Sequence, residues 1–254
     1  MVKSGLIDKK KTTEIDKTPR VSPYRLAVHA GNAYFLYGVL LWQSMNLLRR
    51  PQEAVINMKN IHAHNQMRSG LRMIVHGILP VILLTGFFVA GISGGTSCNT
   101  YPMVGPHYFL TKNHFMDGIP LWQNFTENKL VAQVNHRTLA TLMTIAVSYK
   151  SLQFLGMSGL TWQARLASAC LLGAVWMQLA IGVKTIWMGA PVEWASSHQV
   201  GAMTVLTAFL FASHTCRKVD PRHLKNLIGK MKLEDPEAFR KMTSRYNKDV
   251  MSKR

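Results

Sequence analysis

Acidic residues are scarce in this sequence. Its 254 residues include 12 Asp and Glu against 30 Lys and Arg, which gives a formal net charge of +18. Such an excess can indicate nucleic-acid binding, but no RNA- or DNA-binding motif is present. The basic residues stand between apolar segments instead, as membrane topology arranges them. The composition therefore favours a membrane protein and gives no support to a nucleic-acid partner.

Charged side chains of either sign are absent from residues 73–111. An uncharged run of this length is rare in a soluble domain, and it is long enough for a membrane span of about 20 residues followed by a loop. Polar stretches lie at both ends of the chain. The sequence therefore divides into a polar arm at 1–23, an apolar region at 24–216 and a basic tail at 217–254.

Cysteine is also rare. Cys98, Cys170 and Cys216 are far apart and show no CxxC spacing, so neither a disulfide framework nor a zinc site is indicated. No secretory signal peptide is visible. Residues 1–20 are rich in lysine, but they include acidic residues and lack the Arg and Ser bias of a transit peptide.

Five apolar segments are long enough, or nearly long enough, to span a bilayer. They occupy residues 24–48, 72–92, 130–149, 166–183 and 195–215. The pattern predicts an all-α membrane protein with about five transmembrane helices, four of them forming a haem-binding bundle once the histidines below are considered. Gly77 and Pro80 lie inside the second segment and predict a kink there.

The charges of the connecting loops alternate along the chain. Residues 49–72 carry five basic residues and one acidic, residues 150–165 carry two basic and none acidic, and the tail carries twelve against five. Residues 93–129 and 184–194 are neutral. The positive-inside rule places the basic loops and the tail on the cytoplasmic or matrix side. Five spans put the N-terminal arm on the other side, although its six basic and three acidic residues argue weakly against that.

The basic tail carries two amphipathic patterns. The first has apolar residues at helical spacing, Leu224, Leu227, Ile228 and Met231. The second begins at Asp235-Pro236, a capping residue followed by a proline suited to the first helical position, and continues with Phe239, Met242 and Tyr246. Both helices suit an anionic membrane surface or a partner protein. A solvated helical tail is the alternative.

Three of the ten histidines fall at the same depth. His29, His136 and His198 lie in the first turns of the first, third and fifth segments, which run in the same direction if all five segments span. Small residues flank the last two, namely Ala132, Ala140, Ala195, Gly201 and Ala202, and a flat porphyrin between helices needs such clearance. Neutral imidazole is a good axial ligand for haem iron.

We therefore predict that His136 and His198 face each other across a haem. Arg137, next to His136 and near the membrane interface, is a candidate partner for a haem propionate. The alternative is that each histidine only donates a hydrogen bond to a neighbouring helix.

The remaining histidines give weaker indications. His76 and His214 lie near the inner face, where a second haem pair is an alternative. His107 and His114 lie in the outer loop, at a surface or a site entrance. His62, His64 and His223 are expected to be solvated. The outer loop at 91–105 reads GISGGTSCNTYPMVG, which predicts tight turns over a ligand or over the helix ends.

Several short motifs follow the order and spacing of one protein family. They are YRLAVHAG at 24–31, FVAG at 88–91, CNTYPM at 98–103, EN at 127–128, VNHR at 134–137 and SHQ at 197–199 with Gly201. Each motif is weak by itself, but together they are specific, cover about 24–216 and resemble haem A synthase.

The resemblance implies a membrane enzyme of the bacterial plasma membrane or mitochondrial inner membrane. Haem A synthases oxidise a methyl group of haem O to the formyl group of haem A, which cytochrome c oxidase needs. They have eight helices in two pseudo-symmetric four-helix halves, with two pairs of haem-ligating histidines. The resemblance implies that His136 and His198 are the pair of the C-terminal half and hold a haem b. It also implies that His29 belongs to the last helix of the N-terminal half and to its haem pair.

The sequence departs from the family pattern in two ways. It matches from the last helix of the first half onward, so the partner of His29 and the acidic residue of the catalytic half are not part of it. Ser93 stands where relatives usually carry a charged residue. No catalytic residue is therefore assigned, and whether the chain is an enzyme stays open.

Three functions are consistent with this pattern. In the first, a second membrane polypeptide supplies the missing half for haem A formation and shares a second haem near His29. In the second, the chain is a non-catalytic subunit of a mitochondrial respiratory or assembly complex. The third is a stand-alone di-haem electron carrier. For the first two we expect a multi-pass protein of the mitochondrial inner membrane, surrounded by lipid, with its basic tail on the matrix side.

Overall fold

The protein is all-α within the residues that the computed structural model describes. These are residues 22–48 and 61–217, with a few further positions between 229 and 240. They contain no β-strand; an isolated bridge joins Val104 and His107. The all-α prediction is confirmed, whereas the polar arm and most of the two tail helices lie outside the described residues.

Seven α-helices follow one another along the described chain. They are α1 (Pro23–Leu48), α2 (Ile61–Met73), α3 (Leu79–Gly91), α4 (Leu121–Glu127), α5 (Lys129–Leu155), α6 (Trp162–Trp187) and α7 (Val192–Thr215). The five apolar segments correspond to α1, α3, α5, α6 and α7. The helices α5 and α6 extend past the ends of their apolar segments, where they include polar residues such as Lys150 and Lys184.

A π-helical turn at Ile74–Ile78 joins α2 to α3. The Leu79 N–H donates to the carbonyl of Ile74, and the following residue, Pro80, has no N–H to offer an α-helical bond. The widened turn therefore accommodates the proline while the helix continues. The π-helical turn lies where a kink was predicted from Gly77 and Pro80, and the kink itself stays a prediction. The helical stretch starts near residue 61 instead of 72.

The early start of this helix corrects the prediction for His64. His64 lies on α2 and is 4% exposed, with its Nε2 3.2 Å from Thr161 Oγ1. Thr161 is also the N-cap of α6, where its hydroxyl accepts a hydrogen bond from the Ala164 N–H. The prediction of a solvated His64 was wrong, because α2 continues the bundle and its polar side chain is satisfied inside it.

The long helices pack in a closed circuit. α1 packs on α3, α3 on α5, α5 on α6, α6 on α7, and α7 again on α1. Two tyrosines fasten α1: the Tyr34 hydroxyl donates to the Gln199 carbonyl at 3.1 Å, and the Tyr37 hydroxyl lies 2.6 Å from Thr207 Oγ1. Thus α1 is a fifth member of the bundle, for which four helices were predicted.

The tightly packed apolar core lies at one end of this bundle. Its largest fully buried side chains are Phe154, Phe209, Met67, Leu71 and Leu171. Toward the other end the core cluster stops at Ile82, Met143, Val175 and Val205. These four positions lie one to two turns from Gly86, His136, Gly182 and His198. This core cluster therefore does not extend to the two histidines, although α5 buries Val131 and Val134 near its start.

Apolar side chains also cover the outside of the bundle. Two helical stretches of the described chain, Ala63–Gly91 and Trp162–Trp187, are long and apolar enough to cross a membrane. Large exposed apolar residues occur on the other long helices as well, among them Phe35, Leu47, Leu142, Ile145 and Val200. Apolar patches of this extent are typical of a surface that faces lipid or another helix.

Candidate functional site

The structure brings His136 and His198 together. His136 lies in the second turn of α5 and His198 in the second turn of α7. Their ring centroids are 6.4 Å apart, and the ring planes meet at 87°. Both rings therefore face the same interior space at one end of the bundle.

The start of α5 fixes the position of His136. Asn128 is the N-cap, and its Oδ1 accepts hydrogen bonds from the N–H groups of Leu130 and Val131. Its Nδ2 donates to the His114 carbonyl at 2.8 Å and also contacts Asn124 Oδ1. This buried asparagine therefore ties the first turn of α5 to the outer loop.

Two glycines on neighbouring helices make room for the imidazoles. A Cβ at Gly86 of α3 would lie 3.0 Å from His136 Cε1, and a Cβ at Gly182 of α6 would lie 2.8 Å from His198 Cε1. Space for the rings was predicted only from small residues on the histidines' own helices, so Gly86 and Gly182 were not identified from the sequence. A single glycine in the middle of an apolar helix was the available signal.

The two histidines have different polar neighbours. The Thr85 hydroxyl lies 3.0 Å from His136 Nδ1 and donates to the Ile82 carbonyl at 2.9 Å. Gln178 Nε2 donates to the His198 carbonyl at 2.9 Å. His198 Nδ1 and Gln178 Oε1 are buried without a hydrogen-bond partner.

Arg137 clamps the outer loop to α5. It is 7% exposed, and its guanidinium donates to the carbonyls of Thr100 at 2.7 Å, Met103 at 2.8 Å and Pro102 at 3.4 Å. One turn further along the same face of α5, Thr141 Oγ1 lies 3.0 Å from the Tyr101 hydroxyl. This structural role was not predicted from the sequence. The pairing of Arg137 with a haem propionate stays a prediction.

The same loop surrounds the Cys98 thiol. Burial opposes its ionisation, but hydrogen bonds with Thr100, a backbone hydrogen bond at Gly105 and the positive charge of Arg137 outweigh that effect. The pKa of Cys98 is therefore lowered from its ordinary value.

His29 lies away from the other two histidines, on the exposed side of α1. It lines an open groove with Tyr24, Arg25, Val28 and Asn32. Arg25, His29 and Asn32 are at positions i, i+4 and i+7 and so share one face of the helix. The structure therefore does not bring His29 to the His136–His198 site.

Several other polar side chains make local contacts. His107 and His114 rings lie 6.1 Å apart in the outer loop, and His114 Nδ1 accepts a hydrogen bond from the Thr111 N–H. His214 is buried, with Nε2 3.1 Å from Asn46 Oδ1. Lys184 Nζ lies 5.2 Å from the Trp194 ring centroid.

The geometry fits a metal-centred group between His136 and His198. Two metal–imidazole bonds of about 2 Å each, added to half the width of each ring, give a centroid separation of roughly the observed size. The glycine contacts, and the end of the apolar core cluster one to two turns from the histidines, agree with that fit. The described residues form no cluster of three or more His, Cys, Asp or Glu that would hold a bare metal ion.

These features define an all-helical protein with span-like apolar helices and a two-histidine site between them. The sequence profile of the COX15-CtaA family of cytochrome oxidase assembly proteins matches residues 1–210. The chain belongs to this family. No solved structure matches it.

Curated relatives come from bacteria and from eukaryotes. The chain is 30% identical over 220 residues to heme A synthase of Nitrosospira multiformis, covering 86% of this chain and 56% of that protein. It is 32% identical over 227 residues to heme A synthase COX15 of Arabidopsis thaliana, covering 89% and 48%. For heme A synthase COX15 of Homo sapiens the identity is 33% over 223 residues, covering 86% and 51%. The chain thus spans about half the length of these relatives.

Proposed function

We propose that this chain is a haem-b-binding membrane subunit that acts in the conversion of haem O to haem A for cytochrome c oxidase. The opposed pair His136 and His198, with ring centroids 6.4 Å apart, carries the proposal. Membership of the family and the likeness to proteins named heme A synthase support the reaction. The setting we propose is the mitochondrial inner membrane, with five spans formed by α1, the α2–α3 stretch, α5, α6 and α7.

Two histidines and two glycines of the chain have different roles at the site. His136 and His198 would hold the iron through ring nitrogens, and Gly86 and Gly182 leave room for the two rings. The bound haem b would supply one-electron transfer. The apolar bundle around the rings excludes water and thereby favours the neutral imidazoles that axial ligation requires.

The exposed face of α1 supports a second helical unit as the partner. Polar residues inside a membrane face a bundle interior or a water-filled cavity, yet Arg25, His29 and Asn32 point away from this chain's own bundle. A partner that packs there would complete the surroundings of His29, including the second haem if one is bound. The catalytic half of the reaction would then lie at this interface.

The first experiment is the reduced-minus-oxidised visible spectrum of the purified full chain. We expect a low-spin b-type spectrum that is lost in His136→Ala and in His198→Ala. His107→Ala is the matched control, because His107 is an exposed histidine of the outer loop. A wild-type chain without haem, or a spectrum that survives both substitutions, would reject the haem site.

The alternative is a non-catalytic subunit that reuses the fold in a respiratory or assembly complex. The lack of an assigned catalytic residue favours it. Co-purification with mass spectrometry separates the two functions. A membrane partner that carries an intramembrane Glu and His, and is lost on substitution of His29, supports the enzyme. An unrelated set of respiratory subunits supports the alternative.

A further inference from the structure

The hydrogen bonds around His136 specify which of its ring nitrogens carries the proton. The Thr85 hydroxyl has one hydrogen, which it donates to the Ile82 carbonyl at 2.9 Å. Only its oxygen lone pairs remain for His136 Nδ1, 3.0 Å away. The tautomer with the N–H on His136 Nδ1 satisfies both contacts, and it places the lone pair of the neutral ring on Nε2.

His198 has no corresponding acceptor. Its Nδ1 is buried without a hydrogen-bond partner in the described part of the chain. The Gln178 amide lies at the other ring nitrogen: Gln178 Nε2 is 3.5 Å from His198 Nε2 and donates to the His198 carbonyl at 2.9 Å. A Cβ at Gly201 would overlap Gln178 Oε1, so the glycine is needed for this placement of the amide. The contact of the His198 ring with the Gln178 amide, at 3.5 Å, is thus longer than the 3.0 Å contact of the His136 ring with Thr85.

A hydrogen bond from the distal N–H of a ligating histidine orients the ring and raises its basicity. We propose that Thr85 is a positioning residue that makes His136 the firmly held haem ligand and leaves His198 the exchangeable one. This inference rests on the proposed haem site. It adds that one of the two histidines binds the iron more strongly than the other. A small external ligand should then add to the iron on the His198 side.

The first test compares Thr85→Val with Thr85→Ser in the full chain. Valine keeps the shape but removes the hydroxyl, whereas serine keeps it. Without the hydrogen bond the His136 imidazole donates less electron density to ferric iron. This stabilises the ferrous haem relative to the ferric haem. We expect Thr85→Val to raise the midpoint potential by about 59 mV, which corresponds to a tenfold change for a one-electron couple, and Thr85→Ser to stay near the wild type.

Thr144→Val is the control for loss of a buried threonine hydroxyl. Thr144 donates only to the Ala140 carbonyl of its own helix and does not contact either histidine. Its substitution should leave the potential unchanged. An equal shift in Thr144→Val and Thr85→Val, or no shift in Thr85→Val while the wild type shows a bis-histidine spectrum, would overturn the inference and leave the haem site intact.

The second test compares His136→Gly with His198→Gly, each with and without added imidazole. Because His136 is the firmly held ligand, we expect His198→Gly to retain haem about tenfold better than His136→Gly. We also expect the reduced wild type to bind carbon monoxide and His198→Gly to bind it faster. Equal haem loss in the two variants would reject the order of strength. A wild-type chain without any haem would reject this inference and the proposed function together.

Discussion

Gly86 and Gly182 leave space beside the rings of His136 and His198 that one added methyl group would occupy. Gly86 and Gly182 each face an imidazole edge-on, at distances that leave no room for a methyl group. The two contacts come from different helices: Gly86 of α3 faces His136 of α5, and Gly182 of α6 faces His198 of α7. At the residue scale, the arrangement of the two histidines therefore depends on the absence of a side chain at Gly86 and Gly182 as well as on the histidines themselves.

Gly182→Ala should displace His198 and lower the haem content. The new Cβ would lie 2.8 Å from His198 Cε1, and such overpacking costs about 1–3 kcal/mol. Haem per protein and thermal stability of the purified chain are the measurements.

Gly173→Ala is the matched control on the same helix, because a Cβ there meets nothing within 4 Å. It should leave the haem content unchanged and stabilise α6 by roughly 0.5–1 kcal/mol through helix propensity. Full haem content in Gly182→Ala would contradict the role assigned to the glycine.

At the element scale, α1 matters because it has two different faces. One face is fastened to α7 by tyrosine hydroxyls, and the other carries Arg25, His29 and Asn32 with exposed apolar side chains such as Phe35. A helix that is fixed to its own bundle and still presents polar groups outward is suited to join that bundle to a second unit.

Tyr37→Phe should loosen α1 from α7. It removes the 2.6 Å hydrogen bond to Thr207, and the loss of one such bond costs roughly 1 kcal/mol. The effect should appear as a lower thermal midpoint in detergent and as faster proteolysis between α1 and α2. Tyr108→Phe is the control, because Tyr108 is 68% exposed in the outer loop. Identical midpoints for the two variants would refute the fastening role.

At the scale of the whole molecule, the charge distribution predicts the orientation in the membrane. The neutral outer loop contains Asn113, and the basic loop between α5 and α6 contains Ser158; both residues are exposed. The positive-inside rule puts them on opposite sides.

Asn113→Cys and Ser158→Cys test this orientation in a chain whose three native cysteines are replaced by serine. In mitochondria with a ruptured outer membrane, an impermeant maleimide should label the cysteine at position 113 and leave that at 158 unlabelled until the inner membrane is permeabilised. The reverse pattern would invert the topology. Labelling of both positions before permeabilisation would argue against an odd number of spans between them.

Local patterns in the sequence were sufficient for the helices. Apolar runs predicted α1, α3, α5, α6 and α7, because a helix can be recognised from its own residues. Their alternating direction placed His136 and His198 at one depth, and the structure brings these two rings together. The resemblance of short motifs predicted the family, to which the chain belongs.

The tertiary structure alone decided what surrounds those rings. The rotation and register of each helix depend on the packing of all the others, so no pattern within α3 or α6 could pair Thr85 and Gly86 with His136, or Gly182 with His198. The same reason explains why Arg137 holds the outer loop. It also explains why His64 is buried and why α1 closes the bundle. The sequence by itself determined which histidines lie at a common depth, and packing determined which side chains surround each ring.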